Sequence, residues 1–282
     1  MTFNDDARID SGRVKRRGKG AAIGGGAGIG VAIVVFLIAQ FTGVDLSGFV
    51  GGGTAGNGED TAIANCETGA DANTNTDCRL NAASDALDTY WPKQVQNYTT
   101  TDVILFTDQT GTGCGTAGSN VGPFYCPPDK RIYIDTSFYD ELSTTYGATG
   151  GPLAEMYVLA HEWGHHIQNI VGTMDGLDLS DTGPTSDSVR LELQADCYAG
   201  AWVGAAATED DGTGTTFLEP ITQEELTQAL SAASAVGDDS IQGTTSNSES
   251  WTHGSSESRQ KWFTAGYEGG PSACDTFAVA TP

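Results

Sequence analysis

Residues 153–169, Leu-Ala-Glu-Met-Tyr-Val-Leu-Ala-His-Glu-Trp-Gly-His-His-Ile-Gln-Asn, constrain this chain more than any other stretch. No proline interrupts them, and Pro152 stands where a first helical residue loses nothing by lacking an N–H. The run therefore reads as a helix. On it His161 and His165 lie one turn apart on one face, with Glu162 beside them. Two imidazoles at that spacing converge on one cation, and the neighbouring carboxylate is placed to take a proton from a metal-activated water. Met156, Ala160, Trp163 and Ile167 fall on other faces and predict an anchor in a hydrophobic core. The bland alternative is a helix showing two solvated histidines. Against it, the whole chain has four histidines, and three of them stand here.

A second run, Arg190-Leu-Glu-Leu-Gln-Ala-Asp-Cys-Tyr-Ala-Gly200, supplies the rest of such a site. On a second helix Glu192 and Asp196 share a face. Glu192 completes a His-His-Glu set for Zn2+ with the fourth position open to water. Asp196 is suited to accept the free ring N–H of a ligand histidine and so to fix its tautomer.

The helical H-E-x-x-H followed by E-x-x-A-D resembles the glutamate-liganded zinc peptidases. The longer strings resemble one mostly bacterial subgroup, the neutral zinc metallopeptidases. They are Gly113-Cys-Gly, Gly122-Pro-Phe-Tyr-Cys-Pro-Pro-Asp, Ile132-Tyr-Ile-Asp, Val158-Leu-Ala-His-Glu-Trp-Gly-His-His-Ile-Gln, the Arg190–Gly200 run, and Thr252-His-Gly-Ser-Ser-Glu-Ser-Arg. Together they span roughly residues 77 to 277 in order. The resemblance implies an α+β, zincin-like fold, a mostly helical catalytic domain with a small β-sheet packed on the active-site helix. It implies that an edge strand lines the cleft, where a substrate backbone could add as a further strand. It also sets His253 near the site, able to hydrogen-bond a developing oxyanion. The competing reading of His253 is an anchor for the turn before the last helix. Arg259 reads as an ion-pair residue under either, with a cleft carboxylate as its candidate partner.

Ahead of this domain the chain changes character. Six of its 13 basic residues, Arg8, Arg13, Lys15, Arg16, Arg17 and Lys19, precede residue 20, leaving seven against 34 acidic residues. An acidic exterior argues against nucleic acid or an anionic surface as a partner. Residues 21–44 carry no charge and are long enough to span a bilayer. With the basic cluster before them, they predict an uncleaved single-pass anchor, the N-terminus cytoplasmic and the domain extracytoplasmic. A cleaved signal peptide is the alternative. The expected organisation is a cytoplasmic basic tail (1–20), a transmembrane anchor (21–44), a flexible Gly-rich linker (45–65) and a zinc metallopeptidase-like domain (66–282).

Six cysteines, none in a C-x-x-C pair, read with that anchor as disulfides of an oxidising compartment. Of the fifteen arrangements six cysteines allow, we expect Cys66–Cys78, Cys114–Cys126 and Cys197–Cys274. Cys197 as a buried thiol beside Asp196 is the alternative.

Elsewhere the patterns predict core elements. Leu80, Ala83, Leu87, Tyr90 and Trp91 recur at helical spacing until Pro92. Val103–Phe106 and Arg131–Asp135 read as strands, with a Gly-rich loop over 107–128 between them. Ser186 or Asp187 caps the Glu192 helix, and Thr222-Gln-Glu-Glu225 opens a helix running to Ala235. Residues 240–250 read as irregular, and a final helix covers 256–266. The function expected is a membrane-anchored, extracytoplasmic zinc-dependent peptidase acting on peptides or proteins, with Glu162 as general base. Its alternative is a catalytically silent zinc-binding envelope scaffold, which would keep the three ligands without needing Glu162. Nothing in the sequence fixes an oligomeric state.

Overall fold

The computed structural model describes residues 2–9, 12–18 and 58–282. Its sheet is built outward from β3 (Asp102–Phe106) and β7 (Arg131–Asp135), which pair in parallel with Val103 opposite Ile132. Side chains alternate across a pleated strand, and both faces here are apolar. Val103, Leu105, Ile132 and Ile134 enter the main core, while Ile104, Phe106 and Tyr133 enter a smaller cluster on the other face. β6 (Phe124–Cys126) runs antiparallel to β7 and forms one edge of the sheet.

The smaller cluster is roofed by a hairpin, β4 (Gln109–Thr112) and β5 (Gly115–Gly118), with Gly111 opposite Thr116. A loop is expected over 107–128, so β4, β5 and β6 correct that reading. The Gly- and Thr-rich sequence of β4 and β5 shows no apolar alternation, and β6 is only three residues long. The Cys114–Cys126 disulfide ties the hairpin turn to the edge strand instead. The structure also joins Cys66 to Cys78 and Cys197 to Cys274, the expected pairing, and leaves no free thiol among the described residues.

Helices cover the main-core face. α1 (Gly69–Thr74) leads into α2 (Thr76–Tyr90), whose Leu80, Ala83, Leu87 and Tyr90 are buried as their spacing predicts. After α3 (Phe138–Thr144) comes α4 (Pro152–Val171), the motif helix, with Met156, Ala160, Trp163 and Ile167 all in the core. α5 (Asp187–Ala206) carries Glu192 and is capped by Ser186, whose side chain accepts from the Val189 N–H. α6 (Gln223–Ala235) starts on the expected capping box. A short helix, α7 (Asp238–Gln242), falls partly within the stretch expected to be irregular, and α8 (Ser256–Gly269) closes the fold. α5 and α8 meet backbone to backbone. A Cβ on Gly200 would lie 1.9 Å from the Phe263 carbonyl oxygen, and one on Gly266 would lie 1.9 Å from that of Cys197. Only glycine fits at either position.

The N-terminal residues correct the expected domain boundaries. β1 (Val14–Arg17) lies inside the sheet, parallel to β3 on one side and antiparallel to β2 (Asp60–Ala62) on the other. Phe3 is buried and bridges to Leu218. The basic cluster is spent on ion pairs, Arg13 with Asp88, Lys15 with Asp102, Arg16 with Asp77 and Arg17 with Asp60. Residues 2–9 and 12–18 therefore belong to the domain that was expected to begin at residue 66, and β2 occupies part of the expected linker. Among the described residues no helix is long and apolar enough to cross a membrane. The stretch 21–44, expected to do so, lies outside them, as does 45–57.

Candidate metal centre

α4 and α5 pack so that the ligand-bearing faces read from the sequence oppose each other. His161 Nε2 lies 3.1 Å from Glu192 Oε2, and His165 Nε2 lies 3.3 Å from Glu192 Oε1. Among the described residues these three form the group able to hold a metal, one donor atom from each lying within 4.8 Å of the others. Ligands about 2.0–2.1 Å from a tetrahedral zinc stand about 3.3 Å apart. The two His–Glu spacings are close to that edge length, and a buried His-His-Glu set is one that suits zinc.

Both imidazoles are oriented from behind. Asp196 Oδ1 lies 2.9 Å from His161 Nδ1, and Gln168 Oε1 lies 2.8 Å from His165 Nδ1. Each acceptor holds a proton on Nδ1 and turns the Nε2 lone pair toward the centre. Gln168 is itself fixed, donating to the Leu191 carbonyl and to Gln194 Oε1. The sequence reading missed Gln168. Its signal was an amide three residues after His165 on the same helix face.

Asp196 is a hub. Arg259 donates to it through both Nε (2.8 Å) and Nη2 (3.0 Å), and the Tyr157 hydroxyl donates to Oδ1. Arg259 is thus the ion-pair residue expected, and its partner is this carboxylate. Burial would raise the pKa of Asp196, but Arg259 and His161 outweigh it and hold the group ionised. Burial likewise opposes the charged form of His161, yet Asp196 and Glu192 push its pKa up to about 10 in the metal-free protein. Glu192 is driven well below the usual carboxylate range by the two imidazoles, despite its burial. Replacing Asp196 with Asn should lower metal affinity about 10–100-fold, as loss of such outer partners does. Titration of the metal-free variant with zinc against a competing chelator measures it.

Glu162 differs from these. It is 6% exposed, its Oε2 has no hydrogen-bond partner, and burial raises its pKa, with the histidines only partly offsetting that. It lines a cavity together with the three ligand residues and Val121, Phe138, Val158, Val236 and Ile241. Gly122 and Pro123, just before edge strand β6, line the same cavity. β6 is fastened to the motif helix through Tyr125, whose hydroxyl accepts from Asn169 Nδ2 and meets His166 Nδ1. His166 Nε2 bonds the Thr99 carbonyl oxygen, and burial lowers the His166 pKa, so the ring is neutral. The third histidine of the motif helix therefore ties the sheet edge to that helix.

His253 lies near the site and also in an anchored turn. It lines the cavity, and its turn is anchored on Asp238, a fully buried residue at the start of α7. One oxygen of Asp238 accepts from the backbone N–H groups of Thr252, His253 and Gly254, and the other lies 3.2 Å from His253 Nδ1. That commits Nδ1 and leaves Nε2 for the cavity. Asp238 escaped the sequence reading because it stands in a polar stretch 15 residues from its partner.

Relatives are found by sequence comparison. The chain is 49% identical over 223 residues to "Uncharacterized protein Rv2575" of Mycobacterium tuberculosis, covering 77% of this chain and 76% of that one. The same figures hold for "Uncharacterized protein Mb2605" of Mycobacterium bovis. "Uncharacterized protein YpfJ" of Escherichia coli K12 is 35% identical over 283 residues, covering 97% of this chain and 94% of that one. No solved structure matches the chain. The sequence pattern of the family described as "Putative neutral zinc metallopeptidase" matches residues 2–277. With that match running through β1, both ligand helices and α8, the chain belongs to this zinc metallopeptidase family.

Proposed function

We propose that the protein is a zinc-dependent peptidase that hydrolyses peptide bonds in peptides or proteins. One observation carries this over a silent metal scaffold. Glu162 is outside the ligand set, yet it is kept buried, unpartnered at one oxygen and facing the cavity beside the ligands. A scaffold needs His161, His165 and Glu192 but gives Glu162 nothing to do.

Zinc held by those three residues would supply Lewis acidity, polarising the scissile carbonyl and acidifying a water. Glu162 takes the proton of the attacking water and delivers it to the leaving amine; its raised pKa suits both halves of that exchange. His253, held by Asp238, presents Nε2 to the carbonyl oxygen as negative charge develops there. Asp196, fixed by Arg259 and Tyr157, keeps His161 from rotating out of register. The apolar lining at Phe138, Val158, Val236 and Ile241 favours a bulky apolar side chain next to the scissile bond.

Three disulfides support placing the domain outside the cytoplasm, with membrane attachment through 21–44 as part of the proposal. The test is cleavage of a peptide library by the detergent-extracted full chain. Activity should vanish with a chelator, return with zinc, and favour Leu or Phe over Asp beside the cut. Metal binding without any cleavage would favour the scaffold.

A further inference from the structure

An N-terminal tail held across a bilayer from its domain cannot also be part of that domain's sheet. β1 is hydrogen-bonded along both edges, with Val14 opposite Val103 in β3 and Arg17 opposite Asp60 in β2. Its last residue is fixed on all sides. Arg17, 9% exposed, forks onto Asp60, donates to Thr110 Oγ1 and the Gly111 carbonyl oxygen, and lies over the Tyr133 ring. Further out, the Arg8 N–H donates to Asp211, Asn4 N–H to the Phe217 carbonyl, and Phe3 is buried against the helical side. Withdrawing this strand would expose the edge of β3 and strip Asp60 of its bidentate partner, leaving it only Arg131, at 3.9 Å, among the described residues.

The two ends of the segment between β1 and β2 also meet. Gly18 N–H donates to the Glu59 carbonyl oxygen at 3.2 Å, directly beyond the Arg17–Asp60 pair. A hydrocarbon layer about 30 Å thick cannot separate groups so joined. Nor is the basic cluster available as a free topological signal, since Arg13, Lys15, Arg16 and Arg17 each have a carboxylate of the domain as partner.

We infer that residues 2–18 and the metal centre occupy the same side of the membrane. The tail and the domain are then not held on opposite sides of it, as the arrangement with a cytoplasmic N-terminus and an extracytoplasmic domain requires. This holds whether or not the centre is catalytic.

Protease protection of the full chain tests it, with one epitope before Met1 and another after Pro282, in spheroplasts of a bacterial host with a cytosolic control. Both epitopes should be digested together from outside. An N-terminal epitope protected while the C-terminal one is lost would overturn the inference. Protection of both would uphold it and instead overturn the extracytoplasmic placement proposed above. A second measurement guards against tag effects. Arg17→Glu in the purified full chain should lower the melting temperature by several degrees, with partial recovery in Arg17→Glu/Asp60→Arg. An unchanged melting temperature would show that β1 is not docked and sink the inference.

Discussion

Glu162→Gln removes turnover by about 10²–10⁴-fold or more, the usual contribution of a positioned acid–base group, while zinc content per chain stays at the parent level. Glutamine keeps the volume of a side chain that is almost wholly buried, so packing on α4 is preserved. Its amide cannot take a proton from water or hand one to an amine. The ligand set is untouched, because the three donors are His161, His165 and Glu192. The paired readouts are kcat on a cleaved peptide and metal stoichiometry of the same preparation. Full activity in the variant would remove Glu162 from the chemistry. Loss of both activity and metal would mean that this carboxylate serves the ion instead.

The largest expected effect on stability comes from the disulfide joining Cys197 to Cys274. It closes a loop of 77 residues, and constraining that much unfolded chain stabilises by about 4.5 kcal/mol in the chain-entropy treatment. The bond between Cys66 and Cys78, spanning 12 residues, contributes about 3 kcal/mol on the same footing. Cys197 sits one residue beyond Asp196 on α5, and Gln194 on that helix donates to the Cys274 carbonyl oxygen. The double variant Cys197→Ser/Cys274→Ser should therefore show the lower urea midpoint of the two double-serine variants, and it should lose zinc earlier in the titration. A smaller loss there than in Cys66→Ser/Cys78→Ser would contradict the ranking.

What could be read from the sequence was whatever short-range spacing encodes. The ligands on α4 and the Glu192–Asp196 pair on α5 follow from a period of 3.6 residues, β3 follows from a short apolar run, and β7 from alternating character. β1 was legible only as charge. Val-Lys-Arg-Arg has no apolar alternation, and the acids that pair with it lie 43 to 87 residues away. A local reading gives such a cluster to a membrane signal because nothing nearby neutralises it. The hairpin β4–β5 was hidden for a related reason, since its Gly- and Thr-rich strands are pinned by a disulfide rather than by an apolar face. Asp238 was missed because its partners are one ring nitrogen and three backbone groups 14 to 16 residues away, an arrangement set by tertiary approach and not by any repeat. Gln168, by contrast, stands three residues after His165 on the same helix and was legible as spacing.

The direct contact of α5 with α8 at Gly200 and Gly266 bears on how the centre can diversify. No side chain lies between the two backbones to absorb a change of size, so the helix holding Glu192 and Asp196 and the helix holding Arg259 travel as one body. Substrate preference in relatives with the same paired helices would then drift through the walls contributed by α3, α7 and the loop before β6, while ion geometry is inherited whole.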